Sequence, residues 1–121
     1  MRELNGHKVN GLNEALRISV LDEPGSGGAC HHYKIEPTDR EVRNPVEIRF
    51  QNGPISEAGV NGVTHEALLA IIEDRLECFQ VGPYAHKYNA EALEHVRGAQ
   101  AALAKRTLER MDRGVEGTMV V

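Results

Sequence analysis

Aromatic side chains are scarce in this chain, which has no tryptophan and only three tyrosines and two phenylalanines, so any local gathering of rings is informative. Cysteine is as sparse. Cys30 and Cys78 lie 48 positions apart and outside any CxxC spacing, which argues against a disulfide framework or a zinc site and for a reduced, cytoplasmic setting. Long apolar runs are missing, and no basic segment followed by an apolar stretch opens the chain, so neither a spanning helix nor a signal peptide is expected. An excess of positive charge is also missing. The formal charge of -4 and pI near 5.8 speak against a coat for polymeric nucleic acid, which must neutralise many phosphates, but leave room for a local basic pocket and a small anion.

Catalytic signatures are absent as well. There is no GxSxG elbow and no HExxH helix, and the glycine-rich stretch lacks both the GK[ST] ending of a phosphate loop and the GxGxxG of a dinucleotide fold. At 121 residues the chain suits one domain, in which a sheet and a pair of helices would use all of it.

The first half alternates apolar and polar residues between turn formers. HKVN (7–10), ALRISVLD (15–22), HHYKIE (31–36) and VEIRF (46–50) read as strands. Leu16, Ile18 and Val20 would face a core with Arg17 and Ser19 in water, and Val46, Ile48 and Phe50 repeat the pattern against Glu47 and Arg49. From Asn61 the period becomes helical. Leu68, Ile71, Ile72, Leu76 and Phe79 predict a helix over 64–79 capped by Thr64, and a second over about 28 residues ends at Gly114 after the Gly82-Pro83 turn. A connection that short makes the helices an antiparallel hairpin, and one sheet cannot cover so long a second helix, so part of it is expected to pack on another subunit. The expected fold is α+β: one domain with a small N-terminal antiparallel β-sheet (1–60), a long C-terminal helical hairpin (61–114) and a tail (115–121).

Three groups could carry chemistry. Arg106, Arg110 and Arg113 share a helix face suited to a phosphate, although cations at a helix C-terminus with Glu109 and Asp112 between them also read as a solvated end. Phe79, Tyr84, Tyr88 and Asn89 gather at the hairpin tip, where rings offer stacking faces and the amide could read a base or ribose edge; a small aromatic plug is the plainer reading. The seventeen residues from Asn89 to Arg106 span about 25 Å of helix, beyond the reach of one small ligand. If both groups serve one site, the arginines come from a second chain in a two-fold dimer.

The third group is the glycine loop of DEPGSGGAC (22–30), whose backbone N–H groups could form an anion-binding concavity with His31 and His32 at its exit, or simply a flexible turn. Cys30, His31 and His32 are adjacent on a strand and point to opposite faces, so no metal is expected. Glu73, Asp74, Glu77 and Glu91 read as solvated helix faces.

The strings LDEPGSGGACHHY, FQNGPISEAGVNGVTHEALLAI, FQVGPYAHKYNAEAL and RTLERMDRGVEGT resemble those of the first-type Thoeris anti-defence family of phages, whose hairpin domain is shared with the anti-CBASS cyclic-oligonucleotide sponge. The resemblance covers residues 7–118. It implies a cofactor-free sponge in the cytoplasm of the infected bacterium that binds cyclic ADP-ribose isomers without degrading them. It also implies a homo-oligomer, a dimer or a hexamer built as a trimer of dimers, and in some members a separate site for cyclic trinucleotides.

Carried over by position, Phe79 matches the family's base-stacking ring, Asn89 its polar contact, and Arg106 and Arg110 its phosphate pair, with Glu91 and Asn61 as lesser contacts. Gly27, Gly28, Ala29 and His31 would form the second site. The chain departs from the family at His86-Lys87 and Gln100, which bears on ligand preference. Two other readings stand beside the sponge: a cyclic-nucleotide hydrolase with His31 or His32 as general base, and an inhibitor that binds a host protein.

Overall fold

A computed structural model describes residues 2–39 and 44–121. The chain divides into two compact units, one of Met1–Gly53 with Ala58–Val63 and the other of Pro54–Glu57 with Thr64–Val121.

The first unit is built on four strands, β1 (Arg2–Leu4), β2 (Leu16–Val20), β3 (His32–Pro37) and β4 (Val46–Arg49), antiparallel and adjacent in chain order. Cross-strand neighbours Ile18 and Ile35, Val20 and Tyr33, and Tyr33 and Ile48 line one face, and Phe50 meets Tyr33 edge-on at 5.6 Å. The opposite face carries paired charges: Arg17 reaches across strands to Glu3 and Glu36, while Lys34 with Glu36 and Arg49 with Glu47 pair two positions apart on one strand.

Three expectations are corrected here. HKVN forms no strand: His7 through Asn10 lie in turns, and Asn10 caps a four-residue helix, α1 (Gly11–Glu14), by accepting from the Asn13 N–H at 3.0 Å. The missing strand is β1, further back and only three residues long. Ser19, expected in water, is buried. It is flanked in register by Glu3 and Lys34, and a short side chain between long ones is covered by their stems. Val46, expected in the core, is exposed at the start of an edge strand with a neighbour on one side only.

The second unit contains the hairpin of α3 (His65–Gln80) and α4 (Lys87–Asp112); a short helix α2 (Ile55–Ala58) precedes it. Thr64 caps α3 as expected, its hydroxyl accepting from the Ala67 N–H at 3.1 Å. His86 caps α4 through Nδ1, which accepts from the Tyr88 N–H at 3.1 Å and therefore carries no proton. The helices are tied side by side by Arg97, whose guanidinium bonds Glu73 at 3.2 Å and Glu77 at 2.6 Å. These two carboxylates are therefore interhelical partners at the surface: Glu77 is exposed, as expected of a solvated face, and Glu73 is half-buried. Glu77 first and Glu73 second push the Arg97 pKa upward. Among the described residues of this unit, Leu93 is the one buried apolar side chain, while Ile71, Ile72, Leu108 and Met111 remain exposed.

Candidate functional site

At the hairpin tip α3 ends on Gln80, one residue after Phe79, the chain turns through Gly82 and Pro83, and α4 begins. The turn brings Tyr84 edge-on to Phe79, with ring centroids 6.4 Å apart, and Asn89 Nδ2 donates to the Tyr84 carbonyl at 3.4 Å. Phe79, Tyr84 and Asn89 are thus one cluster. Phe79 is 39% exposed, and Arg75 lies one helical turn back with its Cζ 5.5 Å from the ring centroid. Tyr88 stands beside the cluster under the Lys87 ammonium at 5.0 Å. Glu91 is exposed, 3.7 Å from His95.

The arginines at the far end of α4 differ from one another. Arg106 is exposed, and no described residue forms a hydrogen bond or ion pair with it. Arg110 is 12% exposed in its side chain and fully engaged. Gly114 adopts a positive φ of 72°, reversing the chain so that the Val115 N–H donates to the Arg110 carbonyl at 3.0 Å. The tail then wraps the Arg110 guanidinium, which donates to Glu116 at 3.1 Å and to the carbonyls of Val115, Thr118 and Val120 at 3.0, 3.2 and 2.6 Å. A ring of oxygens around a guanidinium is what a phosphate would otherwise present. Arg113 donates to the Val121 carbonyl at 2.8 Å and pairs with Glu109 at 3.6 Å. The tip and the arginines sit at opposite ends of α4, the separation their spacing implied.

Asn61 is in the sheet unit and acts as a bracket. Its Oδ1 accepts from the Asn52 N–H at 2.8 Å, its Nδ2 donates to the Asn52 carbonyl at 2.7 Å, and its own N–H donates to Gln51 Oε1 at 2.9 Å. Gly62 beside it packs so closely that a Cβ would stand 2.5 Å from the Phe50 carbonyl carbon.

In the glycine loop, Gly27 and Gly28 both have positive φ, within and at the end of a single 3-10 turn (Ser26–Gly28). The Asp22 carboxylate accepts from the His31 N–H at 2.9 Å and the His32 N–H at 3.1 Å, so the amides at the loop exit already hold an anion from the chain itself. The His31 N–H chiefly, against a desolvation that works the other way, and then the His32 N–H hold the Asp22 carboxyl below its ordinary value. His31 Nε2 donates to the Ser26 carbonyl at 2.9 Å, and Ala29 accepts from the Gly25 N–H at 2.8 Å. Sequence reasoning missed Asp22 in this role; DEPG after a strand, with histidines nine and ten positions on, was the signal. Among the described residues no group of three His, Cys, Asp or Glu side chains could hold a metal, and no helix is long and apolar enough to cross a membrane.

Residues 43–108, more than half of the chain, match the family described as the Acb2/Tad1 hairpin domain. A relative from Bacillus phage SBSphiJ7, named Thoeris anti-defense 1, is 45% identical over 71 residues, which are 59% of this chain and 50% of that protein. The chain thus spans half the length of that relative. β4, α3 and most of α4, with Phe79, Asn89, Glu91 and Arg106, fall within the matched family span, while Arg110 lies just beyond it. A hairpin tied by Arg97, capped by Thr64 and His86 and matched over more than half of the sequence makes this chain a member of the Acb2/Tad1 hairpin domain family.

Proposed function

We propose that the protein is a phage anti-defence sponge: it binds cyclic nucleotide immune signals, foremost cyclic ADP-ribose isomers, inside the infected host and withholds them without chemical change. The observation that carries this reading is the division of labour along one hairpin. A half-exposed ring on α3 with a neighbouring amide on α4 stands at the tip, and Arg106, unpaired among the described residues, stands about 25 Å along α4 from that amide. A dimer in which two hairpins run antiparallel brings the tip of one chain to the arginines of the other, forming two equivalent pockets. The exposed Ile71, Ile72, Leu108 and Met111 supply apolar surface for such an interface.

In each pocket Phe79 stacks a base, Asn89 and Glu91 meet base or ribose edges, and the partner chain supplies Arg106 and Arg110 to the phosphates. Arg110 reaches the ligand by exchanging tail oxygens for phosphate oxygens. Stacking worth about 1–3 kcal/mol per base, with several charge-assisted bonds to a pyrophosphate, suffices for the roughly -12 kcal/mol of a nanomolar complex. The glycine loop, with Gly27, Gly28, Ala29 and His31, is the second site in this reading and takes cyclic trinucleotides. Asn61 acts through the loop that it brackets.

Calorimetric titration with cyclic ADP-ribose tests the site when Phe79→Ala and Arg106→Ala chains are co-expressed. Each variant alone loses binding, and the mixed dimer regains one of its two pockets, because that pocket draws Phe79 from one chain and Arg106 from the other. No recovery in the mixed dimer sinks the shared pocket, and no binding by the unaltered protein sinks the sponge.

A further inference from the structure

Of the five arginines in the hairpin unit, Arg97 is held by Glu73 and Glu77, Arg110 by the tail, and Arg113 by Glu109 and the Val121 carbonyl. Two have no hydrogen bond or ion pair to a described residue. One is Arg106, and the other is Arg75, which lies over Phe79.

Arg75 is unpaired because of how the hairpin is tied. The acids two positions to either side of it, Glu73 and Glu77, are drawn across to Arg97 on α4. Asp74 is adjacent in sequence, and adjacent residues on a helix do not face each other. Among the described residues the guanidinium is left with the Phe79 ring, four residues on, as its partner, and none of its five N–H donors is engaged. A cation over a ring keeps its charge while the side chain loses part of its freedom, so little further ordering is needed when an anion arrives.

We propose that Arg75 is a further ligand-binding residue of this protein, which takes the phosphate nearest the base lying on Phe79. The inference rests on the function proposed above and deepens it. Arg75 stands one helical turn, about 5.4 Å, from Phe79, the scale on which the phosphate of a nucleotide stands off from its base. Cyclic ADP-ribose carries two linked phosphates, a pyrophosphate. Arg106 and Arg110 of the partner subunit approach from one side, and Arg75 approaches from the side of the ring. The pair Arg75–Phe79 then binds base and phosphate of the same nucleotide from a single helix face, and selects a phosphorylated ligand over a free nucleoside.

The test is calorimetric titration with cyclic ADP-ribose at two salt concentrations, using the full chain, Arg75→Gln and Arg75→Lys. Arg75 has no hydrogen bond to a described residue, so both variants are expected to fold, which thermal melting checks. Arg75→Gln should weaken binding about tenfold or more and flatten its salt dependence, because one charge-assisted contact is lost. Arg75→Lys, which keeps the charge without the planar fork, should fall between the two and keep the salt dependence of the unaltered chain. If the full chain binds while both variants match it in affinity and salt response, Arg75 merely packs against Phe79 and this inference alone fails. If the full chain binds nothing, the sponge reading fails and this inference with it.

Discussion

Replacing Arg110 with alanine removes the anchor of the C-terminal tail. Four acceptors converge on this guanidinium: the Glu116 carboxylate and the carbonyls of Val115, Thr118 and Val120. Bonds to a charged group are worth about 1.5–3 kcal/mol each when well sheltered, but the tail is largely exposed and the acceptors return to water once released. A net cost of about 2–4 kcal/mol for holding the tail follows, or a rise of roughly thirty- to a thousandfold in its opening. Amide hydrogen exchange reads this directly. The Thr118 N–H, which donates to the Val115 carbonyl, and the Ser56 N–H, which donates to the Gly117 carbonyl, should lose protection, while amides in the middle of α4 keep theirs. Unchanged exchange at Thr118 and Ser56 would refute the anchor. The same geometry makes Arg106→Ala the cleaner probe of the proposed ligand capture, since losing Arg110 releases the tail together with its proposed phosphate contact.

Arg97→Ala should lower the melting temperature of the hairpin, because it removes the bridge to Glu73 and Glu77 and leaves two carboxylates facing α4; melting at the unaltered temperature would show the bridge to be idle. Asp22 titrates below its ordinary value of 3.8, so its contribution to the loop is complete above that pH and lost as pH falls through the lowered value. The amide resonances of His31 and His32 should move in that acid window, and the movement should vanish in Asp22→Asn. Gly62→Ala must push a methyl against the Phe50 and Arg49 backbone, where the nearest atoms stand 2.5 and 2.6 Å away, and should cost about 1–3 kcal/mol in denaturant unfolding. An unaffected midpoint would mean that this loop yields readily.

The hairpin was legible in the sequence because its signals are local. The helical period of Leu68, Ile72, Leu76 and Phe79, the cap at Thr64 and the turn at Gly82-Pro83 are each read within a few residues, and α3 ends one position beyond the expected end. β1 and α1 were missed or misplaced because three- and four-residue elements are held by their neighbours: Arg2 and Leu4 by pairing with β2, and α1 by the Asn10 cap. The separation of the two candidate clusters along the hairpin was legible, since spacing alone fixes the distance from Asn89 to Arg106 on α4. What each polar residue does there was less so. Arg110 bonds mainly to backbone carbonyls, which leave no side-chain signature, and Glu73 and Glu77 find Arg97 across a turn, 24 and 20 residues away. Asn61 reads in the sequence as a ligand contact near the first long helix, and nothing local shows that its amide also closes the loop from Gln51.

Capture without conversion is the central claim, and recovery of the ligand tests it most directly. Cyclic ADP-ribose is incubated with an excess of the protein, the free fraction is removed, the complex is boiled, and the released nucleotide is identified by chromatography. The account predicts that nearly all of the bound ligand returns as the unaltered cyclic molecule however long the incubation. A linear or hydrolysed product that accumulates with time would contradict it and make this protein an enzyme.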